Sequence, residues 1–208
     1  MSATQAGSSV RVEHWFDFIC PYCYVAQDRN RILRKHGIDV IEHPLQIHPE
    51  IGRGGTPAGP RSGPAYDFLA QEAVSAGLAL RWSDRIPYSR PALAAYEWLR
   101  KNHPESSEQF AESVFATYFA DSRDIESADL LATLAEKAGG DPNRLRAALA
   151  SAAANEALTG SEILASEYGV SGTPTWFVGG QRISGLRPRR WFEDLAAMLT
   201  PSGAPAGG

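Results

Sequence analysis

The sequence predicts an α/β fold in which an all-helical block interrupts a small sheet. Three observations carry that expectation. Strand-like runs occur at both ends of the chain, around residues 10–48 and 175–184. The stretch from Tyr66 to about Tyr168 has helical patterning almost throughout. A last amphipathic segment closes the order as strand, helix, strand, helical block, two strands and helix.

Residues 1–9 are small and polar and are expected to be a disordered tail. Val10 to Ile19 (VRVEHWFDFI) is rich in β-branched and aromatic residues. Alternation puts Val10, Val12, His14, Phe16 and Phe18 on one face and Trp15 and Ile19 on the other. Apolar residues on both faces predict a central strand covered on both sides. CPYC follows at once, and Tyr24 to His36 has helical composition with Gly37 placed to end the helix. Ile38 to His48 reads as a second strand, and Pro44 inside it implies a sheet edge or a bulge.

Residues 48–64 are rich in glycine and proline and mark a loop, a boundary and a plausible hinge or lid. The candidate helices beyond it are 64–77, 90–102, 105–120, 126–138, 142–151 and 154–168. Ser127 and Asp141-Pro142 are helix-start signals, and Gly139-Gly140 is a stop signal. Strand character returns after Pro174 as Thr175–Val178 and Gln181–Ser184. A Gly179-Gly180 turn between them predicts a hairpin. Pro188 to Leu199 places Trp191, Leu195, Met198 and Leu199 on one stripe of a final helix. The plan is that of a thioredoxin-like domain, discontinuous over 10–62 and 157–200, with an inserted helical domain at 63–156. Residues 201–208 form a second expected disordered tail.

Composition excludes several function classes. The net charge of −4 argues against nucleic acid as the main partner, because phosphate binding needs a basic surface. No stretch approaches the roughly 20 apolar residues of a membrane helix. The N-terminus shows no charged segment leading into an apolar run, so a cytoplasmic location is expected. Two cysteines can build neither a disulfide framework nor a four-thiolate zinc site.

Cys20 and Cys23 sit where a strand gives way to a helix. A thiol there faces unpaired backbone N–H groups and the positive end of the helix dipole, and both favour the thiolate. Cys20 is therefore the expected nucleophile. Pro21 suits the first helical position, where a missing N–H costs nothing. Cys23, one turn on, would resolve a mixed disulfide between Cys20 and a substrate. Two other readings stay open: a pair of passive thiols, or half of a metal site. The metal reading needs two further ligands, and His14, His36, His43, His48 and His103 lack the paired spacing of zinc motifs, so no metal is expected. Gly172-Thr173-Pro174 precedes the third strand; a cis proline would set the Thr173 backbone beside Cys20, whereas a trans proline would simply start the strand. His14 is either a satisfied core histidine or a proton acceptor for Cys23. Asp17 is expected to accept backbone hydrogen bonds, Trp15, Trp176 and Phe177 to be core, and Tyr22 and Tyr24 to stand at the groove rim. Arg187, Arg189 and Arg190 read as a solvated face.

Three sets of residues carry a resemblance: Glu13-x-Trp15-x-Asp17-x-x-Cys20-Pro21-x-Cys23-Tyr24; Pro44-Leu45-Gln46-Ile47-His48-Pro49-Glu50; and Tyr168-Gly169-Val170-x-Gly172-x-Pro174-Thr175-Trp176-Phe177-Val178 with Ile183-Ser184-Gly185. On these the chain resembles the DsbA-type thioredoxin-fold family, most of all its cytoplasmic FrnE-like branch. The similarity runs over nearly all of residues 10–199, but only the CxxC and proline motifs are individually specific. The resemblance implies a helical insertion in a thioredoxin fold, a cis Pro174 and thiol–disulfide exchange at Cys20. The chain departs from the branch at Tyr22, where tryptophan is frequent, and at Thr173, where valine is frequent. It also has His14 where many thioredoxin-fold proteins hold a buried acid. CPYC itself is familiar from glutaredoxins.

The expected function is dithiol–disulfide exchange with protein or small-molecule thiols and disulfides, supplied by an external reductant or oxidant. No bound cofactor is expected, with glutathione as a conceivable co-substrate. The alternatives are a glutathione-dependent transferase or isomerase on the same scaffold, and a non-catalytic peptide-binding module. The direction of electron flow and the oligomeric state are not readable from the residues.

Overall fold

A computed structural model describes residues 10–200; the two tails expected at 1–9 and 201–208 lie outside the described residues. The central strand β1 (Arg11–Phe16) runs parallel to β2 (Asp39–Pro44), with His14 opposite Glu42. On its other side β1 is antiparallel to β5 (Thr175–Val178), with His14 opposite Trp176. β6 (Gln181–Ser184) completes the order β2-β1-β5-β6. Gly179 and Gly180 join β5 to β6 with φ of +55° and +81°, the left-handed pair that a two-residue hairpin turn requires.

Both faces of β1 are covered. Val12 packs with Ala26 and Leu33 of α1 (Pro21–Lys35) and with Phe192 of α8 (Arg189–Leu199). Trp15 points the other way, onto Ala165 of α7 (Ala153–Glu167). Pro44 ends β2 at the sheet edge, where its missing N–H breaks no ladder bond.

Two expected strands are shorter in the structure. β1 stops at Phe16, not Ile19, because the Asp17 carboxylate takes the Ile19 and Ile47 amides and Cys20 N–H closes a turn on the Asp17 carbonyl. β2 stops at Pro44, not His48. Helix α1 starts at Pro21, the first helical position expected for that proline.

The remaining helices, α2 (Pro64–Ser75), α3 (Arg90–Asn102), α4 (Pro104–Phe119), α5 (Ala128–Lys137) and α6 (Pro142–Ala150), all fall with α7 between β2 and β5. Ser127 and Asp141 cap α5 and α6 through their side chains, as their residue types predict. The stretch 78–89, left between the first two candidate helices, is not helical, and it carries a short strand that the sequence did not mark. There Leu78, Leu80 and Trp82 alternate into the core, and Arg85–Ile86 (β4) pairs with Thr56–Pro57 (β3). The boundary expected at 156–157 falls inside α7, which is one continuous helix.

The helical core reaches the sheet at the end of β1. Phe16 and Phe18, leaving β1, pack in one group with Tyr96 of α3 and Phe115 of α4. Burying each phenylalanine contributes about 2–3 kcal/mol. The helices are thereby anchored on the segment that leads into Cys20. Among the described residues no helix is long and apolar enough to cross a membrane, and no cluster of three His, Cys, Asp or Glu could hold a metal ion.

Candidate active site

The turn at the end of β1 delivers Cys20 to the N-cap of α1 in extended conformation, φ −83° and ψ 112°. The Cys23 and Tyr24 amides close on the Cys20 carbonyl, so the first turn is formed without a capping side chain. Cys20 and Cys23 are both free thiols. Cys20 is 5% exposed and Cys23 1%, so only Cys20 meets solvent at the groove. From 153 positions downstream, Thr173 presents its carbonyl to the Cys20 thiol, which donates to it at 3.4 Å. The Thr173–Pro174 peptide bond is cis.

The two sulfurs are driven in opposite directions. Burial opposes ionisation of Cys20, but the polar groups of Cys23 and Thr173 beside it outweigh burial and hold that thiol below its ordinary value. Burial pushes Cys23 well above the ordinary range, and the neighbouring Cys20 sulfur adds to the rise. The Thr173 side chain favours the thiolate form of each sulfur, and its buried hydroxyl has no hydrogen-bond partner among the described residues. Asp17, three residues before Cys20, is fully buried; burial raises its carboxyl to about 6 against the two amides it accepts. Its charge resists ionisation of Cys20.

A groove of about 360 Å³ opens over Cys20. Pro21, Tyr22 and Thr173 line it from the sheet side, and Tyr66, Trp82 and Phe119 from the helical side. The helical block therefore covers the CPYC face, and the glycine- and proline-rich loop contributes Arg61. Tyr24, expected at the rim, is instead buried: it stacks on Phe119 and its hydroxyl donates to the Ala79 carbonyl at 2.8 Å. On α1 it falls one residue after Cys23, a phase that turns it inward.

His14 joins a buried polar network rather than the sulfurs. The Trp176 indole N–H donates to Asn30 Oδ1 at 2.8 Å, which fixes the Asn30 amide because an indole nitrogen only donates. The Asn30 NH₂ then faces Glu42 Oε1 at 2.8 Å and His14 Nδ1 at 2.9 Å. Nδ1 also lies 3.2 Å from Glu42 Oε1, a carboxylate that can only accept from a ring N–H, and Nε2 has no hydrogen-bond partner among the described residues. Burial lowers the His14 pKa, so the ring is neutral. Its hydrogen bonds run to Asn30 and Glu42 and to neither cysteine. The structure thus brings together Cys20, Pro21, Tyr22, Cys23, Thr173 and Pro174, and leaves His14 without a hydrogen bond to the reacting pair.

Sequence reasoning missed Glu42, Asn30, Trp82 and Arg61. For the first two there was a signal: a lone polar side chain on an otherwise apolar strand face or helix stripe. Arg187 and Arg190 are exposed, as expected of a solvated face, but Arg189 is not simply solvated, since it reaches Asp28 at 3.1 Å.

Residues 11–196 match the family described as the DSBA-like thioredoxin domain. Among solved structures, a probable DsbA oxidoreductase from Streptomyces coelicolor is 26% identical, covering 96% of this chain and 94% of that one with a TM-score of 0.79. The cytosolic disulfide reductase DsbM from Pseudomonas aeruginosa, solved with GSH, shares the fold at 17% identity, 91% and 97% coverage and a TM-score of 0.63. An uncharacterised Bacillus subtilis protein, YwbO, is 20% identical over 89% of this chain and 94% of its own length. The chain belongs to the DSBA-like thioredoxin domain family and is, in that family's general sense, a thiol–disulfide oxidoreductase.

Proposed function

We propose that the chain exchanges thiols and disulfides through the Cys20–Cys23 pair, with Cys20 as nucleophile and Cys23 as resolving thiol. The observation that carries this is the asymmetry of the pair: the sulfur that meets the groove is the easier one to ionise, and its neighbour is buried and harder to ionise. The Cys20 thiolate attacks one sulfur of a substrate disulfide; the other sulfur leaves as a thiolate, and a mixed disulfide remains. Cys23 then loses its proton and attacks the Cys20 sulfur. The second substrate thiol leaves, and Cys20–Cys23 is left as a disulfide. The substrate gains two electrons and the pair loses two, so an external thiol must restore the pair. Run in reverse, the same steps oxidise a substrate dithiol. The Thr173 backbone, beside Cys20, is placed to pair with an extended substrate segment. Pro21 and Tyr22 line the groove beside Cys20, and Pro174 follows the Thr173 carbonyl that meets the Cys20 thiol. We place the reaction in the cytoplasm, with glutathione as the small thiol to test first.

The experiment is disulfide reduction with a small dithiol as electron source. Wild type should turn over. Cys20→Ser should be inactive. Cys23→Ser should accumulate a mixed disulfide visible by mass spectrometry. Turnover retained in Cys20→Ser would rule out the assignment.

A further inference from the structure

The groove over Cys20 is lined mostly by apolar and aromatic side chains, and it carries one guanidinium. Arg61, from the glycine- and proline-rich loop, sets its guanidinium 4.7 Å from the centre of the Trp82 ring. The cation lies over the indole ring, within cation–π range. The same group lies beside the Tyr118 hydroxyl, whose own proton is given to the Arg85 carbonyl at 3.1 Å. Among the described residues, no carboxylate forms an ion pair with Arg61. The other polar ring on the lining, His48, is occupied by Glu50 at 2.8 Å. A held, partly buried, uncompensated guanidinium facing the cavity that contains the nucleophile is a preformed anion site.

We propose that Arg61 determines specificity by binding a carboxylate carried close to the half-cystine that Cys20 attacks, so that the preferred substrates are acidic disulfides. This rests on the thiol–disulfide reading above and names the substrate class within it. The guanidinium fork matches a carboxylate with two parallel hydrogen bonds, and Trp82 holds the fork in place before the substrate arrives. A basic substrate would set like charges together in an apolar groove. It should be rejected by that repulsion as well as by lack of attraction.

The test compares kcat/KM of wild type, Arg61→Gln and Arg61→Lys on four probes. These are glutathione disulfide, a peptide disulfide flanked by glutamate, its glutamine-flanked counterpart, and 2-hydroxyethyl disulfide. Arg61→Gln should lower kcat/KM about tenfold or more on an acidic probe, mainly through KM, since a charged hydrogen bond is lost. The two neutral probes should be unchanged, and Arg61→Lys should restore part of the loss. Loss confined to glutathione disulfide identifies a small thiol as the source of the carboxylate. Loss confined to the glutamate peptide identifies a protein. Equal loss on acidic and neutral probes, or none on the acidic ones, overturns the proposal. Turnover of 2-hydroxyethyl disulfide by wild type establishes thiol–disulfide exchange independently. If wild type turns over no probe, that underlying reading has failed and this proposal fails with it.

Discussion

His14 and Glu42 face each other across the parallel β1–β2 ladder, with His14 Nδ1 3.2 Å from Glu42 Oε1. The carboxylate that a reader of strand β1 would seek at position 14 is therefore supplied by the neighbouring strand. Arg34 reaches the other oxygen of Glu42 at 2.7 Å, and Asn30 bridges the pair to Trp176. The network ties α1 to three strand positions directly behind the helix whose N-terminus carries Cys20.

Glu42 makes that network pH-sensitive. Burial alone would raise its carboxyl, but the hydrogen bond with His14 and the Arg34 charge hold it at about 2, against an ordinary value of 4.5. A depressed folded-state pKa contributes stability that is complete above 4.5 and disappears as pH falls through about 2. The shift corresponds to roughly 3 kcal/mol. Glu42→Gln should therefore lose about 2–3 kcal/mol at pH 7, and its gap from wild type should close as the pH falls from about 4.5 towards 2. Urea midpoints across that range are the measurement. A gap of constant size would show that the charge contributes nothing.

Asp17 has the opposite sign. Its carboxyl is raised from 3.8 to about 6 by burial, so the folded chain binds this proton more tightly than the unfolded chain does. Stability from it is present below 3.8 and is lost as pH rises through about 6, a change of roughly 3 kcal/mol. Asp17→Asn should gain on wild type as pH rises through that window. Because the Asp17 charge resists ionisation of Cys20, the same variant should move the pH midpoint of Cys20 alkylation downward. An unmoved midpoint would separate Asp17 from the reactivity of the thiol.

The β3–β4 pair, which no sequence signal marked, depends on Gly55. Its φ is +65°, and a Cβ there would sit 2.3 Å from the Ile86 carbonyl oxygen. Gly55→Ala must push β4 away, and Ile86 lines the groove. We expect faster amide exchange at Ala58, whose N–H is bonded to Asp84, and a higher KM with kcat retained. Amide exchange unchanged at Ala58 would count against this role.

How legible the molecule is depends on how local each feature is. Cys20 and Pro21 at a strand–helix junction, Pro44 at an edge and Gly179-Gly180 in a hairpin are written in neighbouring residues, and all three stand where local rules place them. The meeting of Cys20 with Thr173 had only the fold plan behind it. The pairing of His14 with Glu42 and of Arg61 with Trp82 had nothing local behind it, because strand register and loop path are decided by the whole core. Tyr24 shows the same limit on a smaller scale. Its residue type suits a groove rim, but the helical phase set by Cys20 and Pro21 buries it.

Arg29 is the charge whose removal should cost the most. Its side chain is fully buried, donates to Asp28 at 2.9 Å and to Glu72, and reaches the Arg187 carbonyl from two nitrogens at 3.3 and 3.2 Å. One guanidinium thus joins α1, α2 and the turn into α8. Arg29→Met keeps the length but leaves Glu72 and a carbonyl without a donor, and a broken buried pair costs about 3–5 kcal/mol. Asp28 retains Arg189, which places the expected loss at the lower end of that range. Lysine offers a single point of contact where the fork makes several, so Arg29→Lys should recover less than half. Adding Glu72→Gln to Arg29→Met should cost less than the sum of the two single changes, because the second removes the charge that the first stranded. Denaturant unfolding of wild type and the four variants measures all of this, and wild-type stability in Arg29→Lys would show that charge alone, without the fork, holds the three helices together.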